Sequence, residues 1–134
     1  MIHYNFDRQE NILYVHYKGE TRVEDIVHYV EAVAKDEHLP RNLYTLEDRS
    51  DAIIKHSVRE NIKIFNAVKA HRKKFSFVKV ASVNPTPESA TSAFQYAHIL
   101  SRKLKNYHFR VFSTREAALH WLLHETPSPM MHSR

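Results

Sequence analysis

Four helix-start signals, each preceded by a short apolar run, constrain the fold of this chain more than any other feature. Three of them place a hydroxyl residue three positions before a glutamate: Thr21 before Glu24, Ser57 before Glu60, and Ser113 before Glu116. Such a hydroxyl can accept from the backbone N–H three residues on, while the glutamate reaches back to the cap's own N–H. The fourth start, at Thr86, is followed by Pro87, a residue favoured at the first helical position. The pattern predicts four helices that alternate with strands.

The apolar runs between these signals predict five strands. Residues 2–6 and 11–18 are expected to pair as an antiparallel hairpin across a short polar connection, with Gly19 closing the second strand. Residues 43–46, 75–83 and 109–112 supply the other three strands. The predicted order is β-β-α-β-α-β-α-β-α, an α/β fold with a mainly parallel sheet and an antiparallel first strand. We expect one domain over residues 1–124 and a flexible tail over 125–134.

The spacing of apolar residues predicts which helix faces are buried. The first helix carries them at 23, 26, 27, 30, 33 and 34, which is the spacing of one helical face. The second helix, starting at Ser57, is expected to bury Val58, Ile62, Phe65 and Val68. The third is expected to bury Phe94 together with alanines and leucines on the same side.

Composition excludes several classes of chemistry. The chain has 134 residues and no cysteine, which excludes disulfides, cysteine-ligated zinc and thiol nucleophiles. Gly19 is the single glycine, so a P-loop and a dinucleotide-binding fingerprint are both absent. The N-terminal residues lack the features of a signal peptide, and with the missing cysteine this favours a cytoplasmic protein. The net charge of +5 raises the expectation of a polyanionic partner.

Three stretches resemble the STAS fold of anti-sigma-factor antagonists, in particular the SpoIIAA-like group of small stand-alone bacterial proteins. They are the strand end 17–19 (YKG), the stretch 43–48 (LYTLED) and the closing segment 110–122 (RVFSTREAALHWL). The resemblance implies either a phosphorylation-switched protein-binding domain or a carrier of hydrophobic ligands. In the regulatory members an Asp-Ser-Ser-Gly-type switch motif starts the second helix. Here residues 48–51 (DRSD) differ in spacing and lack the glycine, and Ser57 is interpreted as a helix cap.

The candidate ligand site is the polar stretch after the third predicted strand. Residues 47–51 are predicted to form a loop at the carboxyl end of a parallel strand, where ligands enter open α/β sheets. Asp48, Arg49, Ser50 and Ser57 are the candidate binding residues, with the helix start at Ser57 supplying backbone donors. The expected partner is either another protein or a hydrophobic or anionic small ligand.

Basic residues near the ends of the second and third helices form a second candidate surface. They are Lys69, Arg72, Lys73, Lys74, Arg102, Lys103 and Lys105. They complement the negative helix C-termini, and side by side they would suit an anionic membrane. Tyr96, His98, Tyr107 and His108 could interleave with them. We expect no nucleic-acid partner because no RNA- or DNA-binding motif is present.

Two further hypotheses concern catalysis and metals. Asp48 or His56 could serve a small hydrolase or isomerase, which would need two titratable groups within hydrogen-bonding reach in a cleft. His120 and His124 have metal-ligand spacing on the last helix, but no third ligand is evident. The sequence therefore predicts a non-enzymatic binding domain without a metal or cofactor. An exposed edge strand could also pair two copies of the chain into a homodimer.

Overall fold

The computed structural model describes residues 1–124, which form one five-stranded sheet flanked by four helices. The strands lie in the sheet in chain order: β1 (Ile2–Asp7), β2 (Ile12–Thr21), β3 (Asn42–Ile54), β4 (Phe77–Val83) and β5 (Tyr107–Phe112). β1 is antiparallel to β2, and all other neighbours are parallel. The predicted fold class is confirmed, and the predicted tail lies outside the described residues.

The helices follow the predicted alternation. They are α1 (Val23–Lys35), α2 (Asn61–His71), α3 (Pro87–Lys103) and α4 (Arg115–His124), and short 3₁₀ turns at Val58–Glu60 and Arg72–Lys74 flank α2. In the described part of the chain, none of these helices has the length and apolar character needed to cross a bilayer.

Two hydrophobic cores lie on opposite faces of the sheet, because side chains alternate along each strand. On the first face, Leu13, Val15 and Tyr17 of β2 belong to the core that includes α1, α2 and α3. On the second face, Ile12 and Leu46 pack in a smaller core with α4. The residues of one strand therefore divide between two different environments.

β2 and β3 both extend further than the sequence predicts. β2 continues through Gly19, whose φ of +73° suits glycine, to Thr21. β3 continues through the predicted loop 47–51 to Ile54, and Thr21 pairs with Ile54 at the end of the ladder. The prediction of a loop was wrong: these polar residues stay in the sheet because β2 pairs with Glu47, Asp48 and Asp51, on the two sides of a register shift between His16 and Lys18.

The starts of α1, α3 and α4 agree with the predicted signals to within one residue, whereas at Ser57 a 3₁₀ turn comes first and α2 begins at Asn61. Thr21 does not cap α1, because its hydroxyl donates to the Gly19 carbonyl at 3.2 Å. The cap residue is Arg22, whose backbone N–H donates to the Asp25 carboxylate at 2.8 Å. Thr86 caps α3 as predicted, and its hydroxyl accepts from the Ser89 N–H at 3.3 Å. At α4, Thr114 rather than Ser113 accepts from the Ala117 N–H, at 3.2 Å.

The predicted buried faces of α2 and α3 are partly wrong. Val58, Ile62 and Phe94 are 46%, 54% and 59% exposed. Asn61 and Ile64 are buried instead on α2, because its first turn is 3₁₀ and the α-helix begins only at Asn61. On α3 the buried aromatic residue is Tyr96.

Candidate functional site

The four predicted binding residues do not form one site. Asp48, Arg49 and Ser50 lie within β3, so they alternate between the two faces of the sheet. Ser57 lies beyond the strand, before the 3₁₀ turn, and its N–H donates to the Glu60 carboxylate at 3.1 Å. Most of the stretch from Asp48 to Ser57 is therefore strand and not the predicted loop, and the four residues are not brought together.

Asp48 and Ser50 form a local polar cluster. The Asp48 carboxylate accepts from the Ser50 hydroxyl and from the Ser50 backbone N–H, the latter at 2.9 Å. Burial opposes ionisation of Asp48, yet the hydrogen bonds from Ser50 and the nearby His16 and Arg115 lower its pKa overall. His16 itself pairs with Asp51 at 2.7 Å, with both side chains substantially exposed. These side chains lie at the protein surface and form hydrogen bonds with one another.

Arg49 belongs to a different environment on the first face. Its Nη2 lies 3.0 Å from the Glu47 carboxylate and donates weakly, at 3.4 Å, to the Tyr17 hydroxyl. The guanidinium also lies 4.6 Å from the centre of the Tyr17 ring. Both charged side chains are almost fully buried, 7% exposed for Arg49 and 6% for Glu47. The ion pair keeps two opposite charges together inside the core.

Four tyrosines surround this ion pair. The Tyr29 hydroxyl donates to the second Glu47 oxygen at 3.2 Å, and the Tyr17 and Tyr29 rings meet edge to face at 6.1 Å. Tyr96 packs edge to face on Phe109 at 5.2 Å. Burial raises the pKa of Tyr17, Tyr29, Tyr96 and Tyr107, and the Glu47 charge raises them further. These phenols are neutral hydrogen-bonding groups.

A cavity of about 70 Å³ lies between the first face of the sheet and the helices, and we refer to it as the tyrosine cavity. Its walls combine the four tyrosines and the Glu47–Arg49 pair with apolar side chains such as Val33, Val68 and Val80. One water molecule needs roughly 10–15 Å³ of such space, so the cavity can hold several waters or part of a small organic molecule.

The mouth of the tyrosine cavity is basic. The exposed residues among those lining it are Arg72, Lys105 and Asn106, all next to the amino-terminal ends of the parallel strands. Arg72 Nη2 donates to the Lys105 carbonyl at 2.9 Å, which joins the end of α2 to the turn before β5. Two of the predicted basic surface residues therefore stand at an opening, a role that their spacing did not indicate.

The other basic residues extend this surface around the helix ends. Lys74 Nζ donates to the Asp36 carbonyl at the end of α1, at 3.3 Å. Exposed residues continue the positive charge outward: Lys69, Lys73, Arg102 and Lys103. Of the aromatic residues expected to interleave with them, Tyr96 is buried and lines the cavity instead.

The residues of the catalytic hypothesis, Asp48 and His56, have separate hydrogen-bond partners, and those of the metal hypothesis, His120 and His124, lie near each other. His56 shares a hydrogen bond of 2.9 Å with Asn61, whereas Asp48 bonds to Ser50, so these two residues do not form a pair. The His120 and His124 rings lie 4.8 Å apart, but residues 1–124 hold no group of three metal-ligating side chains.

Sequence reasoning identified Arg49 but missed its partners. Glu47 and Arg49 have opposite charges two positions apart, which on a strand places both on one face. That spacing, taken with Tyr17 on the neighbouring strand, was the available signal. Tyr29, Tyr96 and Tyr107 come from three separate elements, and only the tertiary structure brings them together.

Comparison with known proteins supports the fold. No protein-family model and no curated protein matches the chain. An uncharacterized DUF3478-family protein with a SpoIIAA-like fold from Shewanella loihica PV-4 superposes with a TM-score of 0.58 at 17% identity, over 90% of this chain and 93% of that one. The anti-sigma factor antagonist SpoIIAA, in its unphosphorylated form, gives 0.51 at 11% identity, over 89% and 94%. The chain has the SpoIIAA-like fold.

Proposed function

We propose that this chain is a STAS-like ligand-binding domain whose tyrosine cavity takes a small amphipathic anion. The observation that carries the proposal is the cavity itself, which joins apolar walls and a buried polar cluster to a basic mouth. Hydrocarbon buried against the apolar walls stabilises the complex by about 25 cal/mol per Å² of apolar surface removed from water. Arg72 and Lys105 at the mouth favour an acidic group that remains near water.

Straight-chain carboxylates of four to about ten carbons are suitable probes, because they vary body length at constant charge. We expect methyl resonances of Val33, Val68 and Val80 to shift on titration with one of these acids. Val83 is the matched control because it faces the second core. Shifts confined to surface residues, or none at all, would contradict the proposal.

Charge at the mouth can be tested with a pair of substitutions in the same basic region. Lys105→Gln removes a charge from the cavity lining, whereas Lys103→Gln removes one nearby that does not line it. We expect Lys105→Gln to weaken carboxylate binding several-fold and Lys103→Gln to change it little. Equal effects of the two variants would indicate that the general positive charge of the region attracts the ligand, and not a specific group at the cavity opening.

An anionic membrane surface is the second candidate, favoured by the bond between Arg72 and Lys105 that brings the two basic clusters together. Binding to phosphatidylglycerol vesicles should then fall steeply with salt, since such attraction is screened within about 10 Å at 0.1 M. Phosphatidylcholine vesicles are the control. Salt-insensitive binding, or equal binding to both vesicles, would argue against this candidate.

A further inference from the structure

The tyrosine cavity contains polar groups that nothing in the described protein satisfies. Arg49 Nε is buried and has no hydrogen-bond partner, although Nη2 of the same side chain is engaged by Glu47 and Tyr17. The hydroxyls of Tyr96 and Tyr107 also make no hydrogen bond to any residue within 1–124. Tyr96 is only 5% exposed. A buried donor without a partner, such as Arg49 Nε, costs free energy, and the two hydroxyls are donors without a protein acceptor, so this cluster is suited to a polar occupant.

The residues that carry these donor groups line one shared space. Tyr96, Tyr107 and Arg49 all line the tyrosine cavity. A phenol O–H and a guanidinium N–H can both donate to one acceptor oxygen. Tyr17 and Tyr29 differ, because their hydroxyls already contact Arg49 and Glu47 respectively. Tyr96 and Tyr107 are therefore the phenols left to meet an occupant, and Tyr96 is the more deeply buried of the two.

The charge balance determines what kind of oxygen fits. Glu47 already neutralises Arg49, so the buried cluster has no spare positive charge. A second carboxylate placed there would face Glu47 and lose its hydration without compensation. An uncharged acceptor such as a carbonyl oxygen avoids both costs. The acidic group is better placed at the mouth, beside Arg72 and Lys105.

We infer that the cavity selects a small carboxylic acid with a second, neutral oxygen at its buried end, received by the Tyr96 hydroxyl beside Arg49 Nε. This inference rests on the proposed function and narrows its ligand class to oxo-substituted amphipathic acids. The carboxylate lies at the basic mouth, the hydrocarbon body lies against Val33, Val68 and Val80, and the oxygen lies at the tyrosines.

The test compares each acid with its oxo derivative. The probes are straight-chain acids of five to nine carbons and the same acids with a carbonyl at the penultimate carbon, titrated calorimetrically into the whole chain. At the best-fitting length we expect the oxo acid to bind about tenfold more tightly, the effect of one well-formed hydrogen bond. Tyr96→Phe should reduce that ratio to near one. Tyr44→Phe, on the second face, is the matched control and should keep the ratio.

The outcomes separate the inference from the proposed function. Equal binding of the two acids to the wild-type chain overturns the inference and leaves the ligand-binding function in place. Binding of neither acid at any length overturns both. A ratio that persists in Tyr96→Phe overturns the assignment of the donor. Because the wild-type ratio decides the main point, the test holds even if the variant folds poorly.

Discussion

At the scale of single residues, the Glu47–Arg49 pair is the feature most sensitive to substitution. Both side chains are buried, and each has further contacts with a tyrosine hydroxyl. Removing one partner leaves the other charge in the core without compensation. The pair therefore matters less for the attraction it supplies than for the penalty that follows when it is broken.

We expect Arg49→Met to lower the free energy of unfolding by about 3–5 kcal/mol, because Glu47 is left buried and unpaired. The double variant Glu47→Gln with Arg49→Met should recover a large part of this loss, since it removes both charges and keeps an acceptor for Tyr29. Urea denaturation measures both. If the double variant is as unstable as the single one, the cost arises from lost packing and not from the unpaired charge.

His56 should make the stability depend on pH. Burial lowers the pKa of His56, and the hydrogen bond to Asn61 only partly offsets this. As the pH falls below about 6.5 the unfolded chain binds the proton first, so stability decreases toward the lowered folded-state pKa. At higher pH His56 is neutral in both the folded and the unfolded state, so it does not make the free energy of unfolding depend on pH. His56→Gln should flatten this part of a stability-against-pH curve measured by urea denaturation, and an unchanged curve would contradict the assignment.

At the scale of elements, the sequence was a good guide to which segments are helices and strands, and a weaker guide to their ends. Caps and apolar periods are local, so four helices and five strands could be predicted. β3 could not be predicted in full, because residues 47–51 are polar and resemble a loop. They remain in the sheet through pairing with β2 and through polar partners for their charged groups: Glu47 with Arg49, Asp48 with Ser50, and Asp51 with His16. Strand formation depends on such neighbours more than on intrinsic preference.

The same distinction explains what was missed at the candidate site. Arg49 was identified because it is a charged residue that follows a predicted strand. It was placed in a loop, whereas it lies within β3 and faces the first core. Tyr96 was assigned to the surface from its nearness to basic residues, whereas α3 directs it inward against Phe109. The residue types indicated which chemical groups are present. Only the packing in the folded structure decides whether each side chain faces the core or the solvent.

The start of α3 offers a direct test of helix capping. Thr86→Ala removes the acceptor for the Ser89 N–H and should cost about 1 kcal/mol of stability. Thr91→Ala is the matched control, because the Thr91 hydroxyl donates back to the Pro87 carbonyl within the helix, where alanine is preferred. Thermal unfolding should show a decrease for the first variant and no decrease for the second. A similar decrease for both would mean that the cap adds nothing specific.

At the scale of the whole molecule, β4 separates the two cores. Val78 and Val80 line the tyrosine cavity, whereas Lys79 between them faces α4. Lys79 is fully buried, its Nζ donates to the Trp121 carbonyl at 2.6 Å, and it lies 4.4 Å from the centre of the Trp121 ring. The charge satisfies carbonyls at the C-terminal end of α4, which is where a cation is favoured. Lys79 thus anchors α4, while the opposite side of the same strand forms the candidate site.

This arrangement predicts that the two faces can be uncoupled by substitution. Lys79→Met removes the buried hydrogen bonds to the Trp121 and Leu122 carbonyls and should cost about 1–3 kcal/mol, with faster hydrogen exchange concentrated in α4. Because its neighbours on β4 keep their positions in the cavity wall, carboxylate binding should change less than about twofold. Val80→Ala, which enlarges the cavity, should instead alter the preferred acid length. A large loss of binding in Lys79→Met with α4 still protected from exchange would show that the two faces act as one unit.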